Sequence, residues 1–82
     1  MTREKWCKMF VARVHSRMEY MNMTRAEFTA KVGVNDNKVS RWFRCETVPK
    51  AIDIVNIAKV LNCSVSWLID FGDRIEKEDG NE

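Results

Sequence analysis

Asp36, Asn37, Lys38, Ser40, Arg41 and Arg44 crowd into residues 36–44. Their amide, ammonium and guanidinium groups donate hydrogen bonds, and their carboxylate, amide and hydroxyl oxygens accept them. This is chemistry for recognition. Groups that could make or break bonds are scarce. His15 is the single histidine, and no carboxylate or cysteine stands near it at the spacing a metal or an acid–base pair requires. The chain has no nucleotide-binding loop and no cofactor motif, so we expect no enzyme, no metal and no cofactor. Cys7, Cys45 and Cys63 are odd in number and widely spaced. They read as inert thiols in a reducing cytoplasm. Only Cys45 lies close enough to the polar cluster for its oxidation to matter there.

The elements that must position this cluster are all helical. Residues 3–21 lack Gly and Pro, and Trp6, Phe10, Val14, Met18 and Met21 recur at spacings of three and four. That pattern predicts an amphipathic first helix, with Asn22 as its stop. Thr24-Arg-Ala-Glu27 has the pattern of a capping box, with Met23 and Phe28 placed as a hydrophobic staple. The second helix runs from Arg25 to Val32 and stops at Gly33. Asn35 is a good N-cap and Asp36 suits the positive helix end. The third helix then runs from Asp36 to Phe43 or Arg44, with Val39 and Trp42 facing inward. Pro49 precedes a fourth helix carrying Ile52, Val55, Ile57/Ala58 and Leu61 at helical spacing, with Asn62 as its stop. Ser64 or Ser66 caps a short fifth helix that ends at Gly72. We expect Phe28, Val32, Val39, Trp42, Ile54 or Val55, and Leu61 in the core. Two short helices around a glycine turn, the second polar on its outer face, form a helix-turn-helix layout. Such a helix fits the major groove of duplex DNA, while the N-terminus of its predecessor faces phosphates.

The whole chain has 82 residues, 45% hydrophobic and 32% charged. That composition fits one globular domain, expected over residues 1–72. The formal net charge is +2, but it is unevenly spread. Residues 1–72 hold twelve bases against seven acids, for +5; residues 73–82 hold two bases against five acids, for −3. A basic body suits a polyanionic partner, and the acidic end reads as a flexible tail. No apolar run approaches membrane-spanning length.

Four stretches, in order, resemble the lambda-repressor-like DNA-binding domain of phage repressors, Cro proteins and XRE-type bacterial regulators. They are Phe10-Val-Ala-Arg13-Val14, Met23-Thr24-Arg-Ala-Glu27-Phe28-Thr-Ala30-Lys-Val32-Gly33-Val34, Val39-Ser40-Arg41-Trp42, and Ile57-Ala58-Lys-Val-Leu61-Asn62-Cys63-Ser64-Val65-Ser66-Trp67-Leu68. The resemblance implies an all-α, five-helix fold and sequence-specific binding to a double-stranded DNA operator, as a repressor. It assigns base reading to Asp36, Asn37, Lys38 and Arg41, and phosphate contact to Arg25, Arg44, Thr47 and Lys50. Asn37 can pair bidentately with adenine, and Lys38 or Arg41 with guanine. Asp36 can cap its helix, orient Arg41 or accept from cytosine. Arg13 and Arg17 are further phosphate candidates. The family's usual third-helix glycine is replaced by Cys45. Left-handed geometry costs a non-glycine residue about 1 kcal/mol, so we expect the helix to overrun or the loop to differ.

The resemblance also implies a homodimer on paired half-sites about 34 Å apart. Trp6, Ile69 and Phe71 are the apolar candidates for its interface, with Trp67 expected in the core. Two other functions fit the same residues: the antitoxin of a toxin–antitoxin pair, its acidic tail binding a protein partner, or a pure protein-interaction module.

Overall fold

In the computed structural model, which describes residues 2–70, five helices follow one another: α1 (Arg3–Tyr20), α2 (Arg25–Val32), α3 (Asp36–Phe43), α4 (Ala51–Val60) and α5 (Val65–Ile69). The expected acidic tail, Phe71 and the Gly72 stop lie outside the described residues. No helix among those described is long and apolar enough to cross a membrane.

The helix starts follow their capping residues. The side chains of Thr2, Thr24, Asn35 and Ser64 each accept from the backbone N–H three residues on. At Thr24 the capping box is complete: the Thr24 N–H donates to Glu27 Oε1 at 2.8 Å, and the Glu27 N–H donates to Thr24 Oγ1 at 3.1 Å. Gly33 ends α2 at φ 83°.

Asn22, Cys45 and Asn62 all take left-handed backbone, at φ 55°, 58° and 53°. Each closes the same pair of bonds. The residue after it donates five back, as in Glu46 N–H to the Arg41 carbonyl at 2.9 Å, and the residue itself donates three back, as in Cys45 N–H to the Trp42 carbonyl at 3.0 Å. This is the Schellman ending, which satisfies orphan carbonyls at a helix C-terminus. The asparagine stops were expected; Cys45 is a correction. α3 does not overrun, because Cys45 accepts the left-handed strain and both ending bonds form.

The core is built around α1. Phe10, Val14, Phe28, Val39, Ile57, Leu61 and Leu68 have at most 1% of their surface exposed, and Trp42 has 2%. α4 sits rotated from its expected face. Asp53, Ile57, Ala58 and Leu61 are buried and Ile54 packs against the core, while Ile52 is 61% and Val55 36% exposed. Residues 53, 57 and 61 define an inner stripe of spacing four, and a carboxylate begins it. α5 also differs. Leu68 fills the core and Trp67, one step of about 100° round the helix, is 39% exposed. The Arg13 guanidinium lies 4.8 Å from the Trp67 ring centre and hydrogen-bonds the Trp67 carbonyl.

Candidate nucleic-acid interface

The turn between α2 and α3 is fastened by one side chain. Arg25, at the start of α2, donates from Nε to Asp36 Oδ1 at 3.2 Å and from Nη2 to Ser40 Oγ. Its guanidinium lies 5.5 Å from the centre of the Phe43 ring. Arg25 therefore bridges the two helices. Asp36 is the partner of Arg25, not an orienter of Arg41. Thr24 and Glu27 occupy each other's backbone N–H groups at this end of α2, and the Arg25 side chain adds a positive charge there.

On α3, Asn35 Oδ1 accepts from the Lys38 N–H at 2.9 Å, and Val39 and Trp42 anchor the helix in the core. That anchoring turns Asp36, Asn37 and Arg41 outward, all exposed. The Schellman ending then folds the next loop back over the helix. The Arg41 carbonyl accepts from the Glu46 and Thr47 N–H groups at 2.9 and 3.4 Å. Thr47 is thereby brought beside Arg41.

These residues line one groove of 360 Å³, with Asn37, Lys38, Arg41, Thr47, Lys50 and Asp53 on its walls and Trp42 among its lining. Three of the four expected base readers and two of the four expected phosphate contacts meet there. Asp36 and Arg25 stand apart at the helix junction. Arg44 lies in a different depression, with Arg3, Glu4, Cys7 and Cys45. It is also engaged: its Nε and Nη2 donate to the Glu46 carboxylate at 2.8 and 3.3 Å. That pairing holds the Glu46 carboxyl below its ordinary range.

Asp53 is the residue that the sequence did not announce. It is the only buried charged side chain among the described residues, 7% exposed. Its Oδ2 accepts from the Lys50 N–H at 3.2 Å, capping α4, and stands 3.8 Å from Lys38 Nζ. Its placement three residues into a helix after Pro49-Lys50 was visible; its partner on α3 was not.

The two further phosphate candidates, Arg13 and Arg17, are engaged within the fold. Arg17 donates to the Leu61 carbonyl at 3.0 and 3.1 Å and to the Asn62 carbonyl at 3.2 Å, and stacks on Tyr20. Arg13 is held on Trp67. Neither belongs to the groove. His15 packs edge-on against Phe43, ring centres 4.6 Å apart. No group of three or more metal-ligating side chains occurs among the described residues. Cys45 is half-buried against Cys7, whose thiol is pushed up to about 12 by burial and by its hydrogen bond to Cys45. Of the expected dimer residues, Trp6 stacks on Phe10 with ring centres 5.2 Å apart, and its Nε1 donates to the Ile69 carbonyl at 3.1 Å. Trp6 and Ile69 are thus joined within the chain.

Comparison with known proteins agrees with the fold. The helix-turn-helix family pattern matches residues 16–68. The chain is 30% identical over 57 residues to repressor protein C2 of Salmonella phage P22, covering 70% of this chain and 26% of that protein. It therefore spans about a quarter of that relative's length. The crystal structure of the P22 c2 repressor in complex with a synthetic operator superposes with a TM-score of 0.68 at 27% identity. The match covers 76% of this chain and 94% of the other.

Proposed function

This chain belongs to the helix-turn-helix family and has its all-helical fold, and from that premise we propose that it binds duplex DNA sequence-specifically and regulates transcription as a phage- or bacterial-type repressor. The observation that carries this reading is the groove, where Asn37, Lys38 and Arg41 converge with Thr47 and Lys50. A rigid helix offers the first three to base edges; the folded-back loop and the start of α4 offer the other two to the backbone. Direct readout specifies sequence and phosphate contact sets register, and both are needed for a specific complex. The P22 relative is named a repressor, and its solved structure holds an operator.

In this reading α3 enters the major groove. Asn37 reads adenine and Arg41 guanine, with Lys38 and Asp36 as the adjacent base contacts. Lys50, Thr47, Arg25 and Arg44 meet phosphates. Arg25 reaches them while holding Asp36, and Arg44 must exchange its Glu46 partner for phosphate oxygen. The protein acts as a homodimer on a two-fold symmetric site.

The test is selection of bound duplexes from a random pool at near-physiological salt with nonspecific competitor. A two-fold symmetric motif is the expected result. A single half-site would remove the dimer from the proposal. No enrichment at all would overturn it and favour a protein-binding role for this fold.

A further inference from the structure

Lys38 stands in the groove with a choice of partners. A free lysine is a flexible point charge with about 2 kcal/mol of rotamer entropy. Beside DNA it is drawn to the nearest phosphate, which carries no sequence information. Here its Nζ lies 3.8 Å from Asp53 Oδ2 and 6.0 Å from the centre of the Trp42 ring. Half of the Lys38 side chain is exposed, whereas Asp53 has 10% of its side chain exposed. Asp53 is thus a nearly fixed negative wall behind a partly mobile cation.

Asp53 also caps α4 through the same Oδ2. A neutral amide oxygen could make that bond. Burying a carboxylate is costly unless it is paired, so the cap alone does not call for the charge. The pairing with Lys38 does. A carboxylate in the groove wall also repels phosphate, which leaves base edges as the partners open to the Lys38 protons not facing Asp53.

Building on the DNA-binding reading above, we infer that Asp53 is a positioning residue that tethers Lys38 in the groove and turns it from a phosphate contact into a base-reading one. Three substitutions separate this role from capping. Asp53→Asn keeps an oxygen for the Lys50 N–H and removes the charge. Asp53→Ala removes both. Lys38→Met removes the partner but leaves the buried Asp53 carboxylate unpaired, so its melting temperature is measured alongside and its selection is run below the temperature at which it unfolds.

The tether is read first without DNA, from the ¹⁵N resonances of the lysine ammonium groups. Asp53→Asn should move the Lys38 signal and leave those of Lys31 and Lys59 in place, with the melting temperature near the parent's. Duplex selection is then repeated with each variant. Asp53→Asn and Lys38→Met should each weaken preference at the same base pair by roughly tenfold, the scale of one direct base contact. The double variant should lose no more than either. Asp53→Asn should also steepen the salt dependence by up to about one ion, as Lys38 turns to phosphate. An unmoved Lys38 signal, or an unchanged motif in Asp53→Asn, overturns the inference. If the parent chain itself selects no motif, the DNA reading falls and the specificity role falls with it, while the ammonium signal still decides whether the tether exists.

Discussion

Arg41 and Lys50 line the same groove but should answer differently to truncation. Arg41 is exposed on a helix whose other face is locked by Val39 and Trp42, so its guanidinium reaches outward from a rigid base. Arg41→Ala should cost about 1–3 kcal/mol of affinity and relax specificity at one base pair. Lys50 is the N-cap of α4, the place the proposed docking gives to the backbone of the duplex. Lys50→Ala should weaken all sequences alike and lower the salt slope by about one. Binding isotherms on matched and single-mismatch duplexes, at several salt concentrations, distinguish the two behaviours. A different residue tests the fold alone. Thr29 Oγ1 is buried without a hydrogen-bond partner among the described residues. An unpartnered buried hydroxyl is destabilising, and an apolar group of the same shape removes that cost. Thr29→Val should stabilise the protein by about 1 kcal/mol in chemical denaturation and leave DNA affinity unchanged.

At the scale of elements, the capping box and the glycine turn each make a prediction. Hydrogen bonds from the Thr24 backbone N–H and then from its hydroxyl hold the Glu27 carboxyl below its ordinary value of 4.5. A group whose folded pKa is depressed contributes stability that is fully present above its unfolded pKa and lost as pH falls through the folded one. Glu27→Gln keeps the acceptor and removes the charge. Its stability should trail the parent's at neutral pH, and the gap should close as pH falls below 4.5; a gap that widens in acid would reverse the sign. At Gly33 the cause is backbone alone. A Cβ there would meet nothing within 4 Å, yet φ is +83°. Gly33→Ala should therefore cost about 1–2 kcal/mol, measured by thermal unfolding. Both devices were legible in the sequence, because capping and stopping are local: Thr24, Asn35, Gly33, Asn62 and Ser64 act within a few residues. Cys45 was misjudged because a Schellman ending can be closed by a residue that sequence rules disfavour. Asp53, Glu46 and Arg17 escaped for another reason. Glu46 pairs two residues away but in a loop without periodicity, the Lys38 partner of Asp53 lies on another helix, and the carbonyl partners of Arg17 lie at the far end of α4 and just past it. Ile52 and Val55 were placed inward by a spacing that α4 satisfies equally well with Ile54, Ile57 and Leu61 once Asp53 turns in. The groove membership of Asn37, Lys38, Arg41, Thr47 and Lys50 was within reach because the resemblance supplied the docking frame.

At the scale of the whole molecule, α1 decides whether the domain unfolds as one body. It packs against both α3 and α5, so the proposed reading helix and the last helix share a support. α5 has five residues, too few to persist without tertiary contacts. It is held by Leu68, fully buried, and by the bonds from Trp6 to the Ile69 carbonyl and from Arg13 to the Trp67 carbonyl. Two descriptions of this end are possible. If α5 were an accessory, Leu68→Ala would release it in a separate early transition and leave α1–α4 intact. The packing argues otherwise: Leu68 shares one cluster with Phe10, Val14, Trp42 and Leu61. A cavity there is felt by α1 and α4 directly. Leu68→Ala should cost about 2–5 kcal/mol, a large share of the roughly 5–15 kcal/mol that holds a small domain together. The loss should appear as one transition, shifted down by roughly ten degrees or more, at the same midpoint by circular dichroism and by tryptophan fluorescence. Trp6 and Trp67 report on α5 and Trp42 on α3, so separated midpoints would show that α3 and α5 do not unfold with a shared α1.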